Sequence, residues 1–458
     1  MSINSCIIII IKELYAHWHI IKRSLNNCRI KNWEYAVMEK KHILIYAHYY
    51  HPDVASTGQL LKELAEGMLD TFDITVICVV PSYGGSVDDC YKNKKYYYEN
   101  INGVNVIRVS VPEFDKTNKI SRVKNIVAYF FRAMWATFKV KNVDYVYSIS
   151  QPPVLGGMLG VFGKWTRRAK YIYNIQDFNP EQIIATGYSK NKFVLNMMLA
   201  LDKFACRQAN KVIIVGRDMI KTLEKRFGKN KMPNYTFINN WIDEKEIYPL
   251  EHSEPHVAEF REKYGLTDKF VFMYSGNIGL YYDLENIIRA IECFPAGTTA
   301  SDGREVVFAF VGAGSKKDEI EDYVNEHNMT NVRFIPYQDK SDLNYSLNAA
   351  DVHWCISARG IKGVSVPSKL YGELATAKPV ICVLEKGAEA AIITEETKCG
   401  YISAPGDYEH VKRHINWFIN HAGEPVLDEM GQRGRDYLVK NLTKEVSVEK
   451  YIEAIKNC

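Results

Sequence analysis

Residues 42–69 read HILIYAHYYHPDVASTGQLLKELAEGML, and this stretch indicates the fold class. Its first seven residues form an apolar run that predicts a buried strand, and the polar, proline-containing residues 49–58 are typical of a loop. From Leu60 to Leu69 the leucines recur on one face of a helix. A strand, a loop and a helix in this order are the repeating unit of a doubly wound α/β domain.

The same alternation of strands and helices runs through two halves of the chain. Further strand-like runs in the first half are residues 74–80, 104–109, 145–149, 171–175 and 212–215. Those in the second half are residues 270–274, 306–311, 332–335, 352–356, 379–383 and 400–403. Because such sheets bind ligands at the carboxyl ends of their parallel strands, we predict two Rossmann-like domains that face each other across a cleft.

A polar stretch with two prolines, residues 249–255, separates the halves. We predict a first domain over residues 38–248, a second over residues 249–442, and a C-terminal helix over residues 443–458 that can return to the first domain. Residues 1–37 are isoleucine-rich and then basic, which indicates either an extension upstream of a start at Met38 or an amphipathic membrane anchor. The five consecutive isoleucines have no helical period, which favours the extension.

The composition excludes several classes of protein. Among 458 residues, 58 lysines and arginines nearly balance 54 aspartates and glutamates, so nothing indicates a disordered chain or a nucleic-acid binder. The ten cysteines are scattered without a C-x-x-C pair, which is typical of a reducing compartment. The sequence has neither a convincing membrane-spanning window nor a signal peptide, and it therefore predicts a cytoplasmic enzyme.

Loops that follow the strands of the second half are suited to an anionic ligand. Residues 275–279 and 311–314 are rich in glycine, so backbone N–H groups can come close to a phosphate. Further on, Pro367 and Ser368 are typical of a helix start, with Ser368 as the cap. Lys369 then places a positive charge at the positive end of the helix dipole, which a diphosphate would compensate. The alternative is a solvated lysine on a first turn.

Polar residues that follow the strands of the first half are expected to face the same cleft. Asp177 can orient an acceptor hydroxyl or stabilise positive charge on a sugar ring, or it can cap the following helix. The first strand is followed by further candidates, namely His48, Tyr49, His51 and Gly58. These histidines have no second ligand cluster beside them, so we predict no metal site.

Taken in order, these motifs closely resemble family 4 of the retaining glycosyltransferases, which have the GT-B architecture of two facing Rossmann-like domains. The resemblance covers Lys41 to the C-terminus. Its carriers are residues 49–53, 56–58, 151–153, 177, 180–181, 239–243, 274–279, 349–352 and 363–372. The set is similar to the subgroup that contains N-acetyl-L-fucosamine transferases of O-antigen synthesis and colanic-acid transferases.

This resemblance implies an enzyme that transfers a sugar, with retention, from a nucleotide-sugar donor. It implies uridine as the preferred nucleotide and an N-acetylated amino sugar or deoxy sugar as the transferred group. The implied donor contacts are Gly58, Gly276, Asn277, Gly279, Tyr337, Ser365, Ser368 and Lys369. The implied acceptor contacts are His48, Tyr49 and Glu181, with Asp177 as the catalytic residue. It implies no cofactor and no required metal ion, because backbone amides and Lys369 would neutralise the diphosphate.

One departure from the family pattern concerns its paired glutamates. Many members carry two glutamates eight positions apart where this chain has Val364 and Gly372. Glu373 follows one residue late, and a shift of one residue turns a helical side chain by about 100°. Glu373 is therefore a weak candidate for a ribose or sugar contact.

Residues 119–170 carry ten lysines and arginines and one aspartate. Aromatic side chains recur between the basic positions at roughly helical spacing, namely Tyr129, Phe130, Phe131, Trp135 and Phe138. This composition predicts a helix on an anionic membrane surface. The alternative is that the aromatic side chains pack on the first sheet and the charges are solvated.

Membrane contact agrees with the acceptors of the subgroup, which are polyprenyl-diphosphate-linked saccharides at the inner face of the plasma membrane. The expected function is sugar transfer to such an acceptor in O-antigen, capsule or exopolysaccharide biosynthesis, by an enzyme associated peripherally with that membrane. Two alternatives stay open. One is a nucleotide-sugar epimerase or hydrolase of GT-B architecture, and the other is a non-catalytic nucleotide-sugar-binding subunit of a partner transferase.

Overall fold

Two β-sheets organise the computed structural model, which describes residues 40–53, 55–115 and 118–458. Residues His42–Cys458 form one compact unit. The predicted extension, residues 1–37, lies outside the described residues, and so does the choice between its two interpretations.

The first sheet has eight strands. They are β1 (Lys41–Tyr46), β2 (Phe72–Val79), β3 (Tyr96–Ile101), β4 (Val104–Val109), β5 (Tyr145–Ile149), β6 (Lys170–Ile175), β7 (Lys211–Ile214) and β8 (Tyr235–Phe237). Their order across the sheet is β3-β4-β2-β1-β5-β6-β7-β8. The pairings of β2 with β4 and of β1, β5, β6, β7 and β8 in succession are parallel, and β3 pairs with β4 antiparallel at the edge.

The second sheet has six strands. They are β9 (Lys269–Ser275), β10 (Glu305–Val311), β11 (Val332–Ile335), β12 (Val352–Ile356), β13 (Val380–Val383) and β14 (Gly400–Ser403). Their order is β11-β10-β9-β12-β13-β14, and every pairing is parallel. All strands predicted from the sequence are present, to within two residues at each end.

Strands β3 and β8 were not predicted. β3 is an edge strand whose side chains are partly or fully exposed, so it lacks the apolar run that marks a central strand. β8 has three residues, all partly buried.

Helices cover both sheets. Those before the second sheet are α1 (Ser56–Gly67), α2 (Lys119–Thr137), α3 (Leu155–Arg167), α4 (Glu181–Ala185), α5 (Lys192–Gln208), α6 (Met219–Phe227) and α7 (Pro255–Lys263). Those within and after it are α8 (Leu284–Ile291), α9 (Lys317–Glu326), α10 (Leu343–Asn348), α11 (Lys369–Ala375), α12 (Glu389–Thr397), α13 (Tyr408–Asn420), α14 (Pro425–Asn441) and α15 (Lys444–Lys456).

The uncharged stretch 145–163 is divided between β5 and α3. A Cβ on Gly160 would lie 2.1 Å from the Tyr171 ring, and one on Gly157 would lie 2.9 Å from the Tyr173 ring. The glycines therefore let α3 pack directly on the tyrosines of β6. Among the described residues, none of the helices has the length and apolarity that a membrane crossing requires.

The last helix, α15, packs on the first sheet although it follows the second sheet in the chain. Its Val448, Tyr451 and Ile455 belong to a buried cluster that contains Ile43 of β1. Asn174 Nδ2 donates a hydrogen bond of 2.7 Å to Tyr451 Oη. The chain thus crosses back after α14.

Loops at the carboxyl ends of the two sheets contact each other. Phe178 N, after β6, donates a hydrogen bond of 2.8 Å to Val364 O, after β12. Gly363 N donates to Asp218 Oδ2 at 2.7 Å. Buried Glu389 accepts hydrogen bonds from Arg217 N at 2.7 Å and Asn239 Nδ2 at 3.0 Å. These contacts bring the strand ends of the two sheets to one junction.

Candidate active site

A cavity of about 350 Å³ lies at this junction, and we call it the interdomain cavity. Helix α1 contributes Ser56 and Gln59 to its wall, and the segment that leads to the second sheet contributes Trp241. The second sheet and its loops contribute Gly276, Gly312, Tyr337, Ser368, Lys369 and Glu373. Of the residues that the sequence assigned to a donor, Gly276, Tyr337, Ser368 and Lys369 line this cavity, and so does the weaker candidate Glu373.

The glycines of the cavity wall are required by backbone geometry. Gly276 has a φ of 149° and Gly312 a φ of 144°, which other residues rarely adopt. A Cβ on Gly312 would lie 2.0 Å from the carbonyl oxygen of Gly276. The two predicted loops thus pack against each other. Asn277 and Gly279 lie beyond this contact and do not line the cavity, and Asn277 O accepts a hydrogen bond of 2.7 Å from Tyr274 Oη.

Lys369 lies partly buried between two tyrosine rings. Its Nζ lies 3.8 Å from the ring centroids of both Tyr274 and Tyr282, and it donates a hydrogen bond of 2.5 Å to Tyr274 Oη. Burial lowers the pKa of Lys369 from 10.5 to about 8. Because its amine packs against both rings, Lys369 differs from the solvated lysine of the alternative interpretation, and in the described part of the chain no carboxylate forms an ion pair with it. A protonated amine in this position is suited to an anionic ligand.

The predicted cap at the start of α11 is absent. Ser368 is the N-cap residue, but its side chain makes no capping hydrogen bond. The reason is its backbone, which has helical dihedral angles (φ −66°, ψ −16°) instead of the extended ones from which a serine caps. Its hydroxyl therefore does not cap α11, and the residue lines the cavity.

Glu373 lies one helical turn after Lys369. Both of its carboxyl oxygens are buried without a hydrogen-bond partner among the described residues. Burial raises the pKa of Glu373 well above its ordinary value, so the carboxyl group is favoured in its neutral form. A neutral carboxyl group can donate a hydrogen bond to a ligand oxygen.

A second concavity of about 200 Å³ lies entirely within the first domain, and we call it the first-domain pocket. It is lined by His48, Tyr49, Phe114, Arg122, Asn125, Ile126, Gln151, Pro152, Pro153, Asp177, Asn179 and Gln182. His48 and Tyr49 thus lie where an acceptor site was predicted. His51 and Gly58 line neither concavity. A Cβ on Gly58 would lie 3.1 Å from Tyr49 O, so this glycine serves the packing of α1 on the loop after β1.

Asp177 lies in the first-domain pocket next to the interdomain junction. It forms a backbone bridge with Ser365 of the second domain. Burial raises the pKa of Asp177, and hydrogen bonds from Ser365, Gln182 and Gln151 partly offset that rise. Ser365 therefore contacts Asp177 and does not line the interdomain cavity.

The side chain of Asp177 does not cap the helix that follows. The N-cap of α4 is Pro180, and no side chain makes a capping hydrogen bond there. Burial, and then the nearby Asp177 carboxylate, raises the pKa of Tyr282 to about 12. Since Tyr282 also covers Lys369, Asp177 lies close to both concavities.

Glu181, which was predicted as an acceptor contact, does not line the first-domain pocket. Its carboxylate is bound by Arg226, which also binds Asp202 and the carbonyl oxygen of Asn179. The guanidinium carbon of Arg226 lies 4.3 Å from the Phe178 ring centroid. Glu181 therefore holds the loop that carries Asp177. Sequence reasoning missed Arg226 and Asp202, because their partners are more than 20 positions away.

Helix α2 lines the first-domain pocket with Arg122, Asn125 and Ile126, and the face of the helix turned away from these residues is exposed. Its outward apolar side chains, together with the cap residue Phe138, form what we call the α2 stripe, namely Ile120, Val123, Val127, Phe131, Trp135 and Phe138. Tyr129 and Ala133 point to the sheet instead and are buried. The aromatic residues of the basic segment are thus divided between the core and the surface. Arg132 is bound to Ser110, so it is not a freely solvated charge.

The described residues contain no cluster of histidine, cysteine, aspartate and glutamate that could hold a metal ion. Comparison with known proteins agrees with this geometry. Residues 257–437, most of the second domain, match the family described as glycosyl transferases group 1.

Proteins similar to the whole chain extend this result beyond the group 1 domain. "Probable glycosyltransferase WbjE" of Pseudomonas aeruginosa is 27% identical over 402 residues, which cover 87% of this chain and 92% of that protein. "Putative colanic acid biosynthesis glycosyl transferase WcaI" of Escherichia coli (strain K12) is 25% identical over 431 residues, 90% of this chain and 99% of that protein. The crystal structure of Anabaena Alr3699/HepE in complex with UDP-glucose has a TM-score of 0.66 at 14% identity and covers 91% of this chain and all of that chain. The fold is GT-B, as predicted.

Proposed function

We propose that this protein transfers a sugar, with retention, from a UDP-linked donor to a lipid-linked saccharide in surface polysaccharide biosynthesis. The observation that carries this proposal is the amine of Lys369, which lines the interdomain cavity and forms no ion pair with any carboxylate of the described residues. Two similar proteins support the proposal. WcaI is named as a putative glycosyl transferase of colanic acid biosynthesis, and the HepE structure is a complex with UDP-glucose.

The proposed donor site is the interdomain cavity. The diphosphate would lie against Lys369, Ser368 and the backbone of Gly276, and the nucleobase against Tyr337. Glu373 would donate a hydrogen bond to the ribose or to the sugar. Lys369 would balance the charge of the diphosphate, so the proposal assigns no step to a metal ion or another cofactor.

In the proposed reaction, an acceptor hydroxyl oxygen bonds to the anomeric carbon while the bond from that carbon to the diphosphate oxygen breaks. The electron pair of the broken bond leaves with the nucleoside diphosphate, and a departing phosphate oxygen takes the hydroxyl proton. Attack from the face that the diphosphate leaves preserves the anomeric configuration. Asp177 would stabilise the positive charge that develops on the sugar ring, and Lys369 the charge of the leaving group. The transferred sugar is proposed to be an N-acetylated amino or deoxy sugar.

Membrane association is the second part of the proposal. The α2 stripe leaves Ile120 69% exposed and Trp135 68% exposed, and the same helix carries the exposed cations Arg122 and Lys124. Exposed apolar and basic side chains on one helix suit an anionic bilayer surface. We therefore place the enzyme peripherally at the inner face of the plasma membrane, where a polyprenyl-diphosphate-linked acceptor is available.

The proposed function is tested with purified protein, a panel of nucleotide sugars and a synthetic lipid-diphosphate sugar. Transfer to the lipid supports the proposal, and the anomeric configuration of the product tests retention. Conversion or hydrolysis of the donor without acceptor would instead identify an epimerase or hydrolase. Nucleotide binding without any turnover would identify a non-catalytic subunit.

A further inference from the structure

The second domain reaches the first through residues 361–368, which lie between β12 and α11 and which we call the bridging segment. Val364 of this segment is 6% exposed and belongs to the buried hydrophobic cluster that contains Tyr173 of β6 and Leu223 of α6. A side chain of the second domain thus completes the core of the first. Burial of this apolar side chain holds the bridging segment against the first domain.

Hydrogen bonds fix the backbone of the bridging segment. Gly363 N donates to Asp218 Oδ2 at 2.7 Å, and Thr222 Oγ1 donates to Gly363 O at 2.6 Å. Gly363 has a φ of 71°, which other residues rarely adopt, and a Cβ there would lie 2.9 Å from Thr222 Oγ1. One residue later, Val364 O accepts a hydrogen bond of 2.8 Å from Phe178 N. These contacts set the register between the bridging segment and the loop after β6.

This register places Ser365 beside Asp177. The two residues form an antiparallel backbone bridge. The hydroxyl group of Ser365 also donates a hydrogen bond to the Asp177 carboxylate, which receives further hydrogen bonds from Gln182 and Gln151. Of these three donors, Ser365 alone belongs to the second domain. The carboxylate thus lies in one domain and takes one of its partners from the other.

The hydrogen bond from Ser365 acts on the charge of Asp177 as well as on its orientation. Burial raises the pKa of Asp177, and the hydrogen bond from Ser365 lowers it in part. A hydrogen bond to the ionised form of a carboxyl group favours that form. An ionised carboxylate is the form that stabilises positive charge on a sugar ring.

Other groups around this carboxylate can carry charge. They are His48, Tyr49, Arg122, Tyr281, Tyr282 and the ion-paired Glu181 and Arg226. Burial lowers the pKa of His48 to about 4 and raises the pKa of both Tyr49 and Tyr282 to about 12, so these three are neutral near pH 7. Arginines are not deprotonated in proteins. All these side chains stay in place in a variant of Ser365, so a change of its pH profile reports on Asp177.

From this geometry we infer that Ser365 is a positioning residue for Asp177, through which the second domain orients the catalytic carboxylate of the first domain and favours its ionised form. The inference rests on the proposed function, in which Asp177 stabilises the positive charge on the sugar ring. It replaces the donor contact that the family resemblance implied for Ser365, which does not line the interdomain cavity.

The same segment continues into the proposed donor site. Ser368 ends the bridging segment and Lys369 follows it, and both line the interdomain cavity. The groups that contact Asp177 and those that would contact the diphosphate are therefore joined by a few residues of one chain segment. A separation of the domains would remove Ser365 from Asp177, so the carboxylate is complete only while the domains are in contact.

The test measures kcat, its pH profile and UDP affinity for Ser365→Ala, with the donor and lipid acceptor that the wild-type enzyme uses. Loss of one hydrogen bond to a carboxylate should lower kcat about tenfold. The acidic limb of the kcat profile should move to higher pH, because the carboxyl group then takes up a proton more readily. UDP affinity should stay within twofold of wild type. Ser365→Thr, which keeps the hydroxyl group, should restore both kcat and the acidic limb.

A double-mutant cycle distinguishes positioning of Asp177 from a general effect on the structure. In the Asp177→Asn background, Ser365→Ala should lower kcat less than twofold further, because the carboxylate that Ser365 serves is absent. If the losses of the two single variants multiply in the double variant, Ser365 does not act through Asp177 and the inference is overturned.

Thr222→Ala is the matched control, because its hydroxyl group binds the backbone of the bridging segment at Gly363 O. It should leave the acidic limb in place. An equal movement of that limb in Thr222→Ala, or a loss of UDP affinity in Ser365→Ala as large as its loss of activity, would overturn the inference while transfer by wild-type enzyme stood. No transfer by wild-type enzyme with any donor and acceptor would overturn the proposed function instead. Melting temperatures with and without UDP show that each variant is folded.

Discussion

The interdomain cavity and the first-domain pocket hold their positive charges in opposite ways. Lys369 lies partly buried between Tyr274 and Tyr282, whereas Arg122 is exposed at the rim of its pocket. A buried amine costs free energy until an anion compensates it, so a ligand that does so gains strongly. An exposed arginine is screened by water and salt, so it contributes less binding free energy to an anionic ligand than a buried amine does. The cavity is thus suited to tight binding of a charged donor, and the pocket to selection of an acceptor.

Substitution of Asp177 is expected to have the largest effect of the changes that test this comparison. We expect Asp177→Asn to lower kcat for transfer by roughly a hundredfold to a thousandfold, because the developing positive charge loses its nearest carboxylate. UDP affinity should change less than threefold, because Asp177 does not line the interdomain cavity. Steady-state transfer assays and calorimetric UDP titration measure the two quantities.

The matched control is Asp53→Asn. Asp53 accepts backbone hydrogen bonds from Ser82 and Tyr83 and lines neither concavity. Its substitution should leave kcat within a few-fold of wild type. An equal loss of activity in both variants would contradict a catalytic role for Asp177.

Lys369→Met tests the cavity side of the comparison. Loss of a charge-assisted hydrogen bond should weaken UDP binding by about 1.5–3 kcal/mol, roughly tenfold to a hundredfold. Without nucleotide, the variant should melt no lower than wild type at pH 7. The reason is that the pKa of Lys369 is lower in the folded than in the unfolded state, so the protonated amine destabilises the fold below pH 8. Lys362→Met, an exposed-amine control whose Nζ binds Lys386 O, should leave UDP affinity unchanged. Unchanged UDP binding in Lys369→Met would remove Lys369 from the donor site.

Phe131→Ser combined with Trp135→Ser tests the exposed face of α2, which lines neither concavity. Loss of two partly inserted aromatic side chains should weaken binding to anionic liposomes by about 2 kcal/mol, roughly thirtyfold. Tyr98→Ser is the control, because Tyr98 is 63% exposed but lies on edge strand β3. Liposome sedimentation measures both. If the double variant and Tyr98→Ser lose the same affinity for anionic liposomes, the α2 stripe is not the membrane-binding surface.

The pH dependence of UDP binding is the smallest expected effect. Burial lowers the pKa of Lys369 to about 8, so the free enzyme loses this proton as pH rises through 8. Since the diphosphate favours the protonated amine, UDP affinity should fall roughly tenfold between pH 7 and pH 9. Calorimetry in two buffers should show proton uptake on binding near pH 9. A flat pH profile that equals that of Lys369→Met would contradict this linkage.

Much of the fold could be predicted because buried parallel strands are continuous apolar runs. Residues 145–149 and 352–356, for example, are the observed β5 and β12 without a change of boundary. Edge strand β3 was not predicted, because its exposed side chains are mixed in polarity. Ser368 was predicted as a capping side chain from its position before a helix, but its helical backbone angles prevent this.

The candidate site was predictable in part. Lys369 was identified because a lysine at a helix start needs an anion, and that reasoning uses only neighbours in sequence. The ion pair of Glu181 could not be predicted, because its partner Arg226 lies 45 positions later. Arg122 was predicted only as a membrane charge, since nothing near it in sequence indicates that it borders the loop that carries Asp177.

Local sequence patterns thus predict the positions of the strands, the glycine-rich loops and Lys369 as a candidate anion-binding residue, because each prediction depends on a few consecutive residues. The tertiary structure decides which loops meet, that Tyr274 and Tyr282 enclose the amine, and that Arg122 reaches the first-domain pocket. Those features arise from packing between segments far apart in the chain. Burial then shifts the pKa values of Lys369, Glu373 and His48 toward their neutral forms, because the free energy of a charge depends on its surroundings in three dimensions.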